Sequence, residues 1–241
     1  MDEYKKEFIR LAHSKGALKV FGKASDYITL KSGRLSPWFF NIGNFNDGLS
    51  SENLSGYFAN TIIKSGVRGK VLYGIPEKGV SLVSSVAIAM NQGGYNIGWC
   101  FSRKDEKTHG EASNLPNEDR IKKLIVGMIP DINSPIIQLD DVFTDGGAKY
   151  DANKFLKSLG RNNLPLLAIA VDRQEIARNG EVAIRKYTEE TGTRVVSILT
   201  ASEIYQLLRE ENLASESALE NMANYMRAYG TEEARAFIEK F

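Results

Sequence analysis

The stretch that decides the fold is Ser134-Pro135-Ile136-Ile137-Gln138-Leu139-Asp140-Asp141-Val142-Phe143-Thr144-Asp145-Gly146-Gly147-Ala148. Apolar or neutral residues at 136–139 run into two adjacent carboxylates, and a threonine and two glycines precede a segment that can be helical. This order predicts a buried strand, a turn and a helix start. Glycines let backbone N–H groups approach a phosphate, and a helix N-terminus adds partial positive charge. With its carboxylates, the loop suits a ligand that is part phosphate and part sugar; a glycine-rich turn after a chance Asp-Asp is the alternative.

The stretch resembles the motif with which type I phosphoribosyltransferases bind phosphoribosyl diphosphate (PRPP): an apolar run, Asp-Asp, two residues, Thr, then small residues. The resemblance implies that Asp140 and Asp141 hold the ribose hydroxyls and, through water, the Mg²⁺ that arrives on PRPP. It also implies that the Thr144 hydroxyl and the amides of residues 143–148 grip the 5′-phosphate. The PRPP contacts expected in this stretch are Asp140, Asp141, Val142, Phe143, Thr144, Asp145, Gly146, Gly147 and Ala148.

Composition bounds the size and the partners of the protein. The 241 residues, 42% of them hydrophobic, suffice for one large domain or for one domain with a small appendage. With 31 Lys and Arg against 30 Asp and Glu, the charge argues against bulk binding to nucleic acid or to an anionic membrane. The single cysteine, Cys100, excludes an internal disulfide bond. Without a signal-peptide pattern or an apolar run of about 18 residues, we expect a cytoplasmic protein with no membrane span.

An aromatic segment near the N-terminus predicts a hairpin. Residues 28–30 form its first strand, residues 31–34 its basic turn, and Trp38, Phe39 and Phe40 lie in its second strand. The basic tip and the aromatics could hold a planar anion, or the aromatics could be core and the tip solvated. The segment resembles Leu-Lys-Ser-Gly-Arg-x-Ser-Pro-aromatic-Phe of the orotate phosphoribosyltransferases. That resemblance implies an orotate pocket lined by Lys31, Phe39 and Phe40, with Thr144 as a further contact.

A second strand–turn–helix covers residues 71–92, with the turn at residues 76–79 and a stop at Gly93-Gly94. In an open α/β sheet, ligands bind at the carboxyl ends of the strands, where this turn lies. The turn resembles the family's Gly-Pro-Ala-Tyr-Lys-Gly loop, whose lysine contacts PRPP and matches Lys78. Glu77 stands where the family usually has tyrosine, so we expect its carboxylate to point away from the phosphates.

A cationic segment follows a strand predicted at residues 95–101. It can be a solvated surface run, or a flexible loop that closes over a diphosphate. The segment matches every fixed position of the orotate family's Arg-Lys-x-x-Lys-x-His-Gly-Glu, but residues 112–116 replace the usual run of glycines. The resemblance implies that Lys107 and His109 are catalytic together with the two aspartates. It further implies PRPP contacts from Arg103, Lys104, Lys107 and His109. It also implies a homodimer, because the family's loop reaches into the neighbouring subunit's site.

A helix predicted from Gly147 to Ser158 leads to an apolar strand at residues 164–171 and then to Asp172-Arg173-Gln174-Glu175. The orotate family has Leu-Asp-Arg-Gln-Glu here, and the resemblance implies that Arg173 binds the orotate carboxylate. An arginine at a strand end can fork onto a carboxylate. The alternative is an ion pair with Asp172 or Glu175.

Helix starts are predicted from capping residues at Ser50 or Ser51, at Thr200 with Glu203, and at Ser217 with Glu220. Buried strands that alternate with helices predict an α/β fold with a doubly wound, mostly parallel sheet. The resemblance, which covers about residues 1–230, makes this the type I phosphoribosyltransferase fold. We expect a single domain over residues 1–241, with a small hood at about residues 1–45 and a helical tail at residues 231–241.

The implied reaction joins orotate and PRPP, with Mg²⁺, to give orotidine 5′-phosphate and diphosphate in de novo pyrimidine biosynthesis. Two alternatives are a phosphoribosyltransferase for another base and a PRPP-sensing regulator that binds nucleic acid and has lost catalysis. Lys31 and Arg173 favour an acidic base. The balanced charge and the cationic loop favour an enzyme.

Overall fold

The computed structural model describes residues 1–30, 32–103, 117–144, 146–177 and 179–241, with only the backbone at residues 117–120. The helices and strands, in chain order, are α1 (Glu3–Ser14), β1 (Leu18–Val20), β2 (Ile28–Thr29), β3 (Leu35–Ser36), β4 (Trp38–Phe40), α2 (Gly48–Lys64), β5 (Val71–Gly74), α3 (Val83–Gln92), β6 (Gly98–Ser102), α4 (Asn117–Leu124), β7 (Ile125–Gly127), β8 (Ile136–Phe143), α5 (Gly147–Ser158), β9 (Leu166–Asp172), α6 (Ala183–Thr191), β10 (Arg194–Thr200), α7 (Ala201–Glu210), α8 (Glu216–Tyr229) and α9 (Glu232–Ile238).

The main sheet has six strands in the order β10-β9-β8-β5-β6-β7. All its neighbours are parallel except β7, which runs antiparallel to β6. Strand β9 is apolar from Leu166 to Val171, and β8 is buried over residues 136–140, because helices cover both faces of a parallel sheet. The predicted doubly wound sheet is therefore confirmed, and the predicted helix at residues 147–158 coincides with α5.

The strand order reverses between β5 and β8: β6 and β7 lie on one side of this pair, and β9 and β10 lie on the other, which makes the pair the switch point. The register pairs Gly74 of β5 with Leu139 of β8. The turn after β5 folds back on β8 so closely that a Cβ on Gly79 would collide with the carbonyl oxygen of Leu139. Crevices at switch points are the ligand sites of open α/β sheets. The turn after β5 and the loop after β8 thus border one crevice.

The N-terminal hairpin was predicted with the wrong partner strands. Strand β2 pairs with the short β3, whereas the aromatic strand β4 pairs with β1, opposing Phe40 to Leu18. Pro37 separates β3 from β4 and has no N–H to continue a ladder. Apolar residues recur at roughly helical spacing over residues 3–20, which predicts one helix there, but α1 ends at Ser14 and Gly16 adopts a φ of +63°.

The hood shares a core with the main sheet. The rings of Phe8, Phe40 and Phe45 pack together, with Phe8 stacked on Phe45 at 5.8 Å. These rings belong to the same buried cluster as Ile137 and Leu139 of β8. The opposite face of β8 packs in a second cluster under α4, α5 and α6. Burial of shared apolar surface thus holds the hood on one face of the sheet.

Of the three predicted helix starts, one has the predicted capping residue and two have a different one. Thr200 and Glu203 form the predicted capping box of α7. Helix α2 begins earlier than predicted, because the Asp47 side chain accepts the N–H of Ser50 and the Ser50 side chain bonds back to Asp47. Helix α8 is capped by Ser215 rather than Ser217, which falls inside its first turn.

The predicted tail is helical and packed. Ala234 and Ile238 of α9 are fully buried in the core that includes the hood. The backbone just before α9 joins the loop after β9, where the Thr231 N–H donates to the Gln174 carbonyl at 2.7 Å. Among the described residues, no helix is long and apolar enough to cross a membrane.

Candidate active site

The two carboxylates of β8 lie in different surroundings, because adjacent residues of a strand point to opposite faces. Asp140 faces α5, is 4% exposed, and has its Oδ2 2.6 Å from Nζ of Lys149. Its Oδ1 accepts the Asp141 N–H at 2.9 Å. Burial raises the pKa of Asp140, and the Lys149 ammonium opposes that rise. Both oxygens of Asp140 thus have protein partners.

Asp141 is the accessible member of the pair. Its side chain is half-buried, and its Oδ1 accepts the N–H of Val142 at 2.7 Å. Mg²⁺ keeps waters and binds through substrate phosphates and one or two carboxylates, so Asp141 fits a water-mediated contact to metal-bound PRPP. The described residues contain no cluster of three or more His, Cys, Asp or Glu that could hold a metal ion.

The loop after β8 presents the start of α5 to the crevice. Gly146 is the N-cap in the left-handed conformation, with φ +81°, and has no side chain to cap the first amides of α5. A Cβ at Gly146 would lie 2.9 Å from the ring of Phe143, so the position also demands a close approach. Thr144 is exposed at the same edge. Amides at a helix N-terminus form a ready anion site. The predicted contact Asp145 lies outside the described residues.

Lysine and arginine side chains stand at the neighbouring strand ends. Lys78 is exposed after β5, with its ammonium group next to Gly43 of the hood. The peptide bond Pro76–Glu77 in the same turn is cis. Arg103 follows β6 and is exposed, and its N–H donates to the Leu124 carbonyl at 2.9 Å. The other predicted diphosphate contacts lie outside the described residues: Lys104, Lys107 and His109.

Arg173 lies at the end of β9, buried against the hood. It is 5% exposed, and its Nε donates to Glu175 Oε1 at 2.7 Å. Its Nη2 donates to the Ser36 hydroxyl at 2.9 Å, and its guanidinium carbon is 3.8 Å from the ring centre of Trp38. The ion pair with Glu175, one of the two alternatives considered for Arg173, is therefore present. Asp172 is not its partner; that carboxylate accepts the Gln174 N–H at 2.7 Å.

The two phenylalanines expected in the base pocket differ in accessibility. Phe39 is half-buried and lies on the opposite side of β4 from its neighbours. Phe40 is 5% exposed and packs into the hood core against Phe8, so its ring is not at a pocket surface. A ligand contact from Phe40 would come from its backbone. Lys31 lies outside the described residues, and its contact stays a prediction.

Sequence reasoning missed two residues of this site, Lys149 and Ser36. Lys149 carried a signal, because a cation in the first turn of a helix opposes the helix dipole and needs a local reason. The Ser36 contact carried none, since its partner Arg173 is 137 residues away.

An open, largely parallel sheet with Asp-Asp and a glycine-led helix start at its switch point has the fold of a type I phosphoribosyltransferase. No protein-family model matches the chain. Orotate phosphoribosyltransferase from Nitrosococcus oceani is 36% identical over 233 residues, covering 96% of this chain and 98% of that protein. The enzyme of the same name from Photobacterium profundum is 32% identical over 231 residues, covering 95% and 100%.

A crystal structure of orotate phosphoribosyltransferase from Francisella tularensis matches with a TM-score of 0.76 at 28% identity, covering 93% of this chain and 100% of that one. The chain belongs to the orotate phosphoribosyltransferase family.

Proposed function

We propose that this protein transfers the phosphoribosyl group of PRPP to orotate, giving orotidine 5′-phosphate and diphosphate in de novo pyrimidine biosynthesis. The observation that carries the proposal is the pairing of β8 with β9. Phe143, the last residue before the loop that follows β8, is in register with Asp172, which is next to Arg173. The N-terminus of α5 and the buried Arg173 thus follow adjacent strand ends. The two together suit a phosphorylated sugar and an acidic base.

On the sugar side, the reaction requires stabilisation of a positive charge that develops on the ribose. Displacement at the anomeric carbon develops oxocarbenium character in the ribose, as in glycoside hydrolysis. Asp141 would hold the ribose hydroxyls and stabilise that positive charge, with Asp140 behind it. The amides of residues 143–148 and the Thr144 hydroxyl would bind the 5′-phosphate.

The diphosphate side depends on cations. We assign its binding to five side chains: Lys78, Arg103, Lys104, Lys107 and His109. Lys107 and His109 are the proposed catalytic members, because charge builds on the departing diphosphate. Mg²⁺ bound to PRPP, near Asp140 and Asp141, would share in neutralising that charge.

The base side depends on Arg173 and the hood. Arg173 would bind the orotate carboxylate, with Lys31, Phe39, Thr144 and the backbone of Phe40 around the ring. Arg173 and Arg34 share the carboxylate of Glu175, so this cluster has one more positive charge than negative, and an acidic base balances it better than a neutral one. For the same reason we prefer orotate to uracil, adenine or hypoxanthine as the acceptor.

We also propose a homodimer in which the cationic loop serves the partner's site. The proposed setting is the cytoplasm. The lone Cys100 suits a reducing compartment, since it offers no disulfide bond.

One assay tests the activity. Loss of orotate absorbance is followed with PRPP and Mg²⁺, and parallel reactions replace orotate with uracil, adenine or hypoxanthine. We expect turnover of orotate only, and dependence on Mg²⁺. Turnover of another base in preference to orotate would reject the substrate, and PRPP binding without turnover of any base would favour the regulator.

A further inference from the structure

Glu175 lies between two arginines that come from distant parts of the chain. Its Oε1 accepts from Arg173 Nε at 2.7 Å, and its Oε2 is 3.5 Å from Arg34 Nη1. The same Arg34 nitrogen donates to the Ile176 carbonyl at 2.8 Å. The three charged side chains are between 5% and 17% exposed, so solvent screens their interactions only weakly. Glu175 therefore links the hood to the end of β9 through charged contacts.

The C-terminal segment holds the backbone around Glu175. Glu175 pairs with Gly230 in an isolated bridge, and the Ile176 N–H donates to the Tyr229 carbonyl at 2.9 Å. The Tyr229 ring also lies beneath Arg34, with the guanidinium carbon 4.7 Å from the ring centre. Glu175 is thus held on two sides, by the hood and by the segment between α8 and α9.

These contacts set the orientation of Arg173. A guanidinium is planar, and its five N–H donors form a rigid fork. Glu175 holds the Nε edge, Ser36 holds Nη2, and Trp38 covers the face. A fork that is already oriented binds a planar carboxylate at a smaller entropic cost than a mobile one.

We propose that Glu175 is a positioning residue for base recognition: it holds Arg173 in the orientation that receives the carboxylate of the base. Arg34 and the 229–231 segment in turn hold Glu175. The proposal rests on the proposed function, since Arg173 must bind the base. It gives the C-terminal segment a part in base selection, although none of its residues needs to touch the base.

Two variants separate the charge of Glu175 from its bonds. Glu175→Gln removes the charge and keeps an acceptor, whereas Glu175→Met removes both at a similar length. We expect the orotate KM to rise in both, by about tenfold or more in Glu175→Met, because a hydrogen bond between charged groups is lost. The PRPP KM should stay near the wild-type value. Glu175→Asp, which keeps the charge, should recover part of the loss.

Glu239→Gln is the matched control. Glu239 is a carboxylate directly after α9 that pairs with Arg227 at the surface, where the two side chains are 69% and 43% exposed. It should change neither KM. Arg34→Met is the further variant, to be used if the Glu175 variants do not fold, and it should raise the orotate KM alone, by a smaller factor.

The outcomes separate the two proposals. Wild-type turnover of orotate is measured first, and its absence rejects the proposed function. With normal wild-type turnover, an unchanged orotate KM in Glu175→Met rejects the positioning role alone. So does an equal rise in both KM values, because a loss of structure affects the two substrates alike. A rise confined to orotate, with recovery in Glu175→Asp, supports the proposal.

Discussion

Asp140 and Asp141 are neighbours in β8, yet only one of them is available to a ligand. Both oxygens of Asp140 are engaged by the Lys149 ammonium and the Asp141 N–H. Asp141 is half-buried on the side that faces away from α5. The chemistry proposed for the Asp-Asp pair therefore depends mainly on Asp141.

Asp141→Asn should lower the turnover number far more than it lowers stability. The change keeps the shape of the side chain, and the half-buried carboxylate has no cationic partner among the residues that the structure describes, so the loss of its charge costs little stability. Steady-state rates with saturating orotate and PRPP, set beside thermal melts, test this. Asp151→Asn is the control, because Asp151 is exposed on α5. An early-melting variant with a normal rate would make Asp141 a structural residue.

At the scale of the element, the start of α5 combines two roles. Its N-terminus follows the carboxyl end of β8 at the crevice, and its first turn carries Lys149, which opposes the helix dipole. The ion pair with Asp140 and a hydrogen bond to the Val142 carbonyl at 2.8 Å offset that cost. Lys149 thereby ties the carboxylate end of β8 to the helix that follows it.

Lys149→Met should destabilise the fold by about 3–5 kcal/mol, because it leaves the Asp140 carboxylate buried without its partner. The double variant Lys149→Met with Asp140→Asn should recover much of that loss, since no charge then remains buried. Urea unfolding curves of the two variants and the wild type measure the difference. Lys154→Met, at an exposed position of α5, should change little. A double variant no more stable than Lys149→Met would contradict an ion-pair origin.

At the scale of the whole molecule, the switch point between β5 and β8 gathers distant segments at one edge of the sheet. The turn after β5, the end of β6 and the loop after β8 all border this crevice, and the hood lies against the end of β9. The remaining piece of the proposed site is the cationic loop, which we assign to the partner subunit.

Mixing Lys107→Ala with Asp141→Asn subunits should restore activity that neither variant has alone. If each site takes one residue from each chain, a heterodimer has one site damaged twice and one intact, and regains up to about half of the wild-type rate. Activity after subunit exchange, with exchange verified by mass spectrometry, measures this. Lys107→Ala should itself keep the wild-type melting temperature. Exchange without recovery would assign the loop to its own subunit.

The sequence by itself determined the parts of this protein that depend on local order. Residues 136–148 specify a strand, a turn and a helix start through an apolar run followed by carboxylates and glycines, and β8 and α5 form there. Alternation of such segments was enough for the parallel sheet. The strand, the turn and the helix start follow from preferences of neighbouring residues, and the sheet follows from the regular alternation of apolar strands with helices; a linear pattern records both.

Only the tertiary structure decided which side chains meet. Arg34 and Glu175 are 141 residues apart, and Arg173 and Ser36 are 137 apart. Strand β4 pairs with β1, although β2 is closer to it in the sequence, and the ring of Phe40 packs into the hood core. The physical reason is that burial and ion pairing depend on how whole helices and strands pack together. No local sequence pattern records which residue from a distant segment becomes the partner of a given charge.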